Sequence, residues 1–170
     1  MARSRPPVTP IAPGPGQESV WDYPRPPALQ RSTRRVRVMV GGAFVADTVG
    51  AYRVLETSHP PSWYLPREDI RPGALVPSRR RSTTCEWKGA ATYWDVVGPA
   101  GEIIEAAAWS YERPTGRFVP ITGYVSFMPS MVECRIDDEL VRPQAGGFYG
   151  GWITDDVVGP FKGEPGTWGW

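Results

Sequence analysis

A thiol, an ammonium and a carboxylate brought together can do acid–base or covalent chemistry, and this sequence offers one compact set. Thr83-Thr84-Cys85-Glu86-Trp87-Lys88-Gly89 puts a cysteine three residues before a lysine. A nearby ammonium lowers a thiol's pKa, whereas apolar burial raises it and silences the group. Cys85 is thus either a reactive nucleophile or a small buried hydrophobe. Glu56 is the acid that could partner Lys88. Each is expensive to bury alone, so a buried pairing would mark either a site or a structural ion pair. A lysine in an apolar cage can also lose its proton and serve as base or nucleophile. Glu56, Cys85 and Lys88 are the candidate catalytic residues.

The second constellation is aromatic. Tyr64, Trp87, Tyr93, Trp94, Trp109 and Tyr111 fall on segments expected to neighbour one another across a sheet. Most such rings serve as core, compensating for few aliphatics, while two or three could line a pocket. Tyr64, Trp87, Tyr93, Trp109 and Tyr111 are the candidate ligand-binding residues, since electron-rich faces suit a cation or a planar amide. The implied partner is a small molecule.

Other chemistries lack their residues. The one histidine, His59, precedes Pro60-Pro61 and reads as a solvated loop residue; any Ser–His–Asp or Cys–His relay would have to use it. Cys85, Cys134 and His59 cannot supply four metal ligands, so no metal is expected. Neither a phosphate-binding Gly-x-x-x-x-Gly-Lys-Ser/Thr loop nor a Gly-x-Gly-x-x-Gly turn occurs, and no cofactor is expected. Asp137-Asp138-Glu139 and Asp155-Asp156 read as turns, because neighbouring acids on a strand face opposite ways. Nineteen basic and 18 acidic residues leave a net charge of +1, which offers no general field for nucleic acid or anionic membrane. Arg79-Arg80-Arg81 with Arg34, Arg35 and Arg37 could form a phosphate patch, but charge runs are usually solvated faces. With no apolar run of bilayer length, no signal-like segment and two cysteines read as reduced thiols, the expectation is a soluble cytoplasmic protein.

These residues need a scaffold, and 20 Pro with 19 Gly argue for short strands and many turns rather than long helices. Val36, Val38 and Val40 alternate with Arg35, Arg37 and Met39 at strand period. Gly41-Gly42 can take the positive φ of a tight hairpin turn, returning as Ala43–Thr48. A single helical turn is expected at Glu68–Ile70. Lys88–Val97 reads as a longer strand returning through Glu102–Tyr111, although Glu105–Ala108 is locally as compatible with helix. Ile121–Phe127 and Val132–Ile136 are expected to form the last pair. The organisation is a disordered tail at 1–17, a proline and aromatic arm at 18–33, a mainly β antiparallel domain at 34–141, and a glycine-rich aromatic extension at 142–170. The extension is expected to pack on its own domain or on a second copy in a homodimer, because exposed rings would form an apolar patch.

The order and spacing of Arg35-Val36-Arg37-Val38, Gly42–Thr48, Glu56, Trp63-Tyr64-Leu65-Pro66, Thr84–Gly89, Tyr93-Trp94, Ala108–Tyr111 and Gly123–Phe127 resembles the bacterial domain of unknown function 427 family. The flanks resemble the extensions of its single-copy actinobacterial members. The resemblance implies a β-tent-like fold, an architecture in which many proteins hold zinc through paired Cys-x-x-Cys knuckles. This chain has no such pair, so the scaffold is read as zinc-free. The family's Thr-x-Cys-Pro-x-Lys-Gly pattern is matched at Cys85, Lys88 and Gly89, with Glu86 in place of proline. Its nucleotidyltransferase-like label would require carboxylates converging on Mg²⁺, which the acid pairs here do not provide.

Overall fold

A computed structural model describes residues 7–170. The chain is mainly β, and its strands divide among several small sheets that are antiparallel except for one short pair. The valine alternation becomes the strand Val36–Val40, with Val36 and Val38 buried. Gly41 (φ 57°) and Gly42 (φ 77°) make the turn into Ala43–Thr48, a backbone region open to glycine and strained for other residues. Glu133–Ile136 and Glu139–Leu140 complete this four-stranded sheet. Ala28–Arg31, Tyr52–Leu55 and Ser62–Tyr64 form a second sheet, and a 3₁₀ turn follows at Arg67–Asp69.

The largest sheet is built on the hairpin Gly89–Val97/Ile103–Tyr111, flanked by Val125–Phe127, Leu75–Pro77 and Thr83–Cys85. The ambiguous Glu105–Ala108 stretch is strand carrying a bulge. Ile104 lies opposite Val96 and Ala108 opposite Trp94, so three residues stand where the partner strand has one. Ala106 takes φ 51° there, and its N–H donates to Asp95 Oδ1 at 2.8 Å. A helix would have satisfied that donor within itself; the Asp95 carboxylate supplies the alternative.

The expected pairing of Ile121–Phe127 with Val132–Ile136 does not form. Ile121 closes a 3₁₀ segment at Gly116–Ile121, Val125–Phe127 pairs with the long hairpin, and Glu133–Ile136 pairs with Val36–Val40. The turn at Met128–Val132, where the Met131 and Val132 N–H groups both donate to the Met128 carbonyl, carries the chain between sheets. Burial drives the exchange: Cys134 and Ile136 join Val36 and Val38 in one core with Val96, Ala108, Val125 and Phe127.

Both arms lie against the chain's own sheets. Glu18–Ser19 pairs in parallel with Val157–Val158, and Val20, Tyr23, Leu55 and Val157 pack together. The Trp21 indole donates to the Pro160 carbonyl and packs edge-on to Trp170 at 5.3 Å. Nearer the N-terminus, the Ile11 N–H donates to Gly159 O. Trp152 enters the main core fully buried, stacks on Trp63 at 6.3 Å and donates to Phe127 O at 3.0 Å. Trp168 stays exposed. Trp152→Ala should therefore cost about 3–5 kcal/mol in chemical denaturation, whereas Trp168→Ala should stay within about 0.5 kcal/mol. Equal effects would mean that the extension does not contribute to the core.

Candidate functional site

Strand alternation aims the candidate residues. Tyr93 lies directly opposite Trp109, and Ala91 opposite Tyr111, on one face of the long hairpin. Trp94 points to the other face, where its indole donates to Ser110 Oγ at 2.9 Å and Arg67 stacks on its ring. The bulge sets this register: continued pairing from Ile104–Val96 would have put Trp109 opposite Ala91. Trp63 and Tyr64 divide in the same way, Trp63 to the main core and Tyr64 to a second cluster with Trp109, Tyr111, Phe118 and Ile121. Thr83–Cys85 turns back at Glu86-Trp87-Lys88, with Cys85 opposite Gly89 and Gly89 at φ 96°. The tight turn thus forms without the proline that Glu86 replaces.

These segments enclose a cavity of about 400 Å³. Glu56, Cys85 and Lys88 line it together with Tyr64, Trp87, Tyr93, Trp109 and Tyr111. The Trp109 indole donates to the Tyr64 hydroxyl at 3.2 Å, fixing the ring. Tyr93 and Thr83 share a 2.6 Å hydroxyl contact.

Glu56, the acid that could partner Lys88, pairs with two other groups. Glu56 Oε2 lies 3.1 Å from Arg25 Nη2 and 3.3 Å from His59 Nε2. Burial pushes the Glu56 carboxyl up, but His59, Arg25 and the Lys88 charge outweigh it and hold the pKa below the usual value. Lys88 Nζ sits over the rings of Tyr111 (5.5 Å) and Phe118 (5.8 Å). Burial opposes its charge, yet Tyr64, Cys85 and Glu56 more than compensate, and its pKa lies above that of an ordinary lysine. The direction is opposite to that of a lysine whose proton is lost to an apolar cage. Burial raises the phenol pKa values of Tyr64 and Tyr111, which stay protonated donors. Cys85 is a free, half-buried thiol on the cavity wall, while Cys134 is buried in the core with its thiol pushed up by desolvation.

His59 is not the solvated loop residue that its sequence context suggests: its side chain is only 13% exposed and lines the cavity. The turn Glu56–His59, closed by the His59 N–H donating to Glu56 O at 3.0 Å with Ser58 at φ 71°, folds the imidazole back onto the carboxylate. Gln144 fixes the ring from the other side. Its Oε1 accepts from the Gly151 N–H and its Nε2 donates to Lys162 O, so the amide orientation is set, and the same Nε2 meets His59 Nδ1 at 3.4 Å. That assigns Nδ1 as acceptor and leaves the Nε2 hydrogen for Glu56.

The C-terminal extension supplies a wall that sequence reasoning did not assign. Phe148, Tyr149, Gly150 and Lys162 all line the cavity. A Cβ on Gly150 would fall 2.1 Å from Trp109 Cη2, so only glycine permits this approach. The cluster of rings and glycines after Gly146 was the one signal available. Elsewhere, Arg34, Arg35 and Arg37 pair with Asp137 and Asp156, Asp47 and Asp138 respectively, which neutralises that end of the conjectured basic patch. Among the described residues no group of three or more His, Cys, Asp or Glu could hold a metal ion, and no helix is long and apolar enough to cross a membrane.

Fold and cavity together define a small mainly β protein with an aromatic-walled cleft closed by its own C-terminal segment. The family described as a domain of unknown function (DUF427) matches residues 28–141, and the chain belongs to that family. No curated protein matches the chain. Gln144, Tyr149, Gly150 and Lys162 all lie beyond the matched residues.

Gly150→Ala should cost about 1–3 kcal/mol through its clash with Trp109 and shift the near-ultraviolet circular dichroism of the buried indole. An unperturbed spectrum and stability would contradict the close approach. Glu56 gives a pH prediction. Its folded pKa is depressed below 4.5, so its stabilising effect is present above that value and lost as pH falls through the folded pKa. The stability difference between the wild type and Glu56→Gln should therefore be constant at neutral pH and shrink in acid. A difference that grows on acidification would contradict the assignment.

Proposed function

We propose that this protein is a small-molecule-binding module, built on a β-tent-like scaffold, whose ligand occupies the aromatic-walled cavity. The observation that carries the reading is convergence: Tyr64, Trp87, Trp109 and Tyr111 from the family domain and Tyr149 from the extension meet around one space of about 400 Å³. That volume suits a small ligand, and rigid ring faces with a few polar groups are how such sites select shape. Trp109, hydrogen-bonded to Tyr64 and backed by Gly150, is preorganised to stack on a flat group.

Catalysis by Glu56, Cys85 or Lys88 is the second reading, favoured by a free, half-buried thiol on the same wall as Lys88. The contacts support binding over it. Glu56 is committed to Arg25 and His59, and both imidazole nitrogens are engaged. A relay that draws the proton from Cys85 would need one of these two groups free.

A metabolite-library thermal-shift screen, with native mass spectrometry of the protein as purified, tests the proposal. A ligand should raise Tm by about 2 °C or more at saturation, lose its effect in Trp109→Leu and keep it in Cys85→Ala. A screen without a hit and a purely apo mass spectrum would count against binding. Turnover abolished by Cys85→Ala would favour the enzyme.

A further inference from the structure

Lys88 and Lys162 are the only lysines in the sequence, and both line the cavity. They come from segments far apart in the chain: Lys88 from the hairpin turn at Cys85–Gly89, Lys162 from the C-terminal extension. Arg80 is the third cation on the wall. Among the described residues, none of the three forms an ion pair with a carboxylate. Each rests on a ring face instead: Lys88 over Tyr111 and Phe118, Arg80 over Tyr93 at 4.2 Å, and Lys162 over Tyr149 at 5.3 Å. Two acids share the wall, Glu56 held by Arg25 and His59, and Glu86 exposed to solvent. Tyr64 adds a hydroxyl whose oxygen accepts the Trp109 N–H, with Tyr111 as a second hydrogen-bonding neighbour.

We infer that the cavity takes a flat organic oxyanion, a carboxylate or a phosphate monoester, whose charged head lies between Lys88 and Lys162 and whose ring stacks on the aromatic wall. This rests on the small-molecule reading and narrows it. An ammonium is a compact charge with three rotatable donors, able to leave a ring face and meet an oxyanion without a fixed fork geometry. Cation–π contact holds it weakly, whereas a charge-assisted hydrogen bond in a partly desolvated cleft is stronger. A cationic ligand would meet three like charges at close range. A neutral one would leave them without an anionic partner. Because Lys162 belongs to the extension, the head group would bridge the family domain and its C-terminal segment.

Isothermal titration of the full chain with four isosteric probes tests this: 1-naphthylacetate, 1-naphthyl phosphate, neutral 1-naphthylacetamide and cationic 2-(1-naphthyl)ethylamine. At least one anion should bind about tenfold or more tighter than the amide, and the order of the two anions identifies the head group. Lys88→Met with Lys162→Met should cut the anions' preference over the amide to about threefold or less, the ratio being the readout. Should that variant fold poorly, the wild type serves: anion preference should shrink as salt rises from about 20 mM to about 500 mM, with amide affinity steady. Amide or amine binding as tightly as the anions would overturn the oxyanion inference and leave the binding module intact. No binding by any of the four at about 5 mM would overturn both.

Discussion

Side-chain alternation across the hairpin Gly89–Val97/Ile103–Tyr111 is the constraint on which both the core and the cavity depend. One face gives Val96, Ala108 and Trp94 to the main core; the other gives Ala91, Tyr93, Trp109 and Tyr111 to the second cluster and the cavity. Because the side-chain period is two, neither set can move without displacing the other. The Ala106 bulge, held by the Asp95 carboxylate, then slides the pairing by two residues and stands Trp109 beside Tyr93. A local departure from regular strand thus decides which rings stand directly opposite one another on that wall.

Around that hairpin, polar contacts tie three regions to one point. Glu56 meets Arg25 of the N-terminal arm and His59 of its own turn, and His59 meets Gln144 of the extension. Gln144 is itself fixed by the backbone of Gly151 and Lys162. Each partner occupies a donor or acceptor that would otherwise be costly to leave buried. The same contacts that order the arms commit Glu56 and His59 to structure, while Lys88, Lys162 and Arg80 line the cavity with no carboxylate ion pair among the described residues.

Packing of the extension follows from its composition. Rings and glycines with few branched aliphatics cannot form a core of their own, so Trp152 enters the main core while Gly150 lets the chain pass against Trp109. Phe148 and Tyr149 are carried with it to the cavity rim.

Local features of the sequence decided local outcomes. The valine alternation, the Gly41-Gly42 turn, the single turn near Glu68 and the long hairpin depend on period and on glycine's backbone freedom, and each formed near its expected place. The candidate residues also meet in one cavity, because those on the long hairpin share a strand face by period alone. What the sequence could not decide were the partners of long-range contacts. Glu133–Ile136 chose Val36–Val40 over its neighbour because the apolar faces that bury together lie far apart in the chain. Glu56 chose Arg25 and His59 over Lys88, since an ion pair is settled by where the backbone leaves each charge and not by its spacing. Gln144 and Lys162 reach the cavity because the extension folds across it, a closure between distant segments that no local pattern encodes.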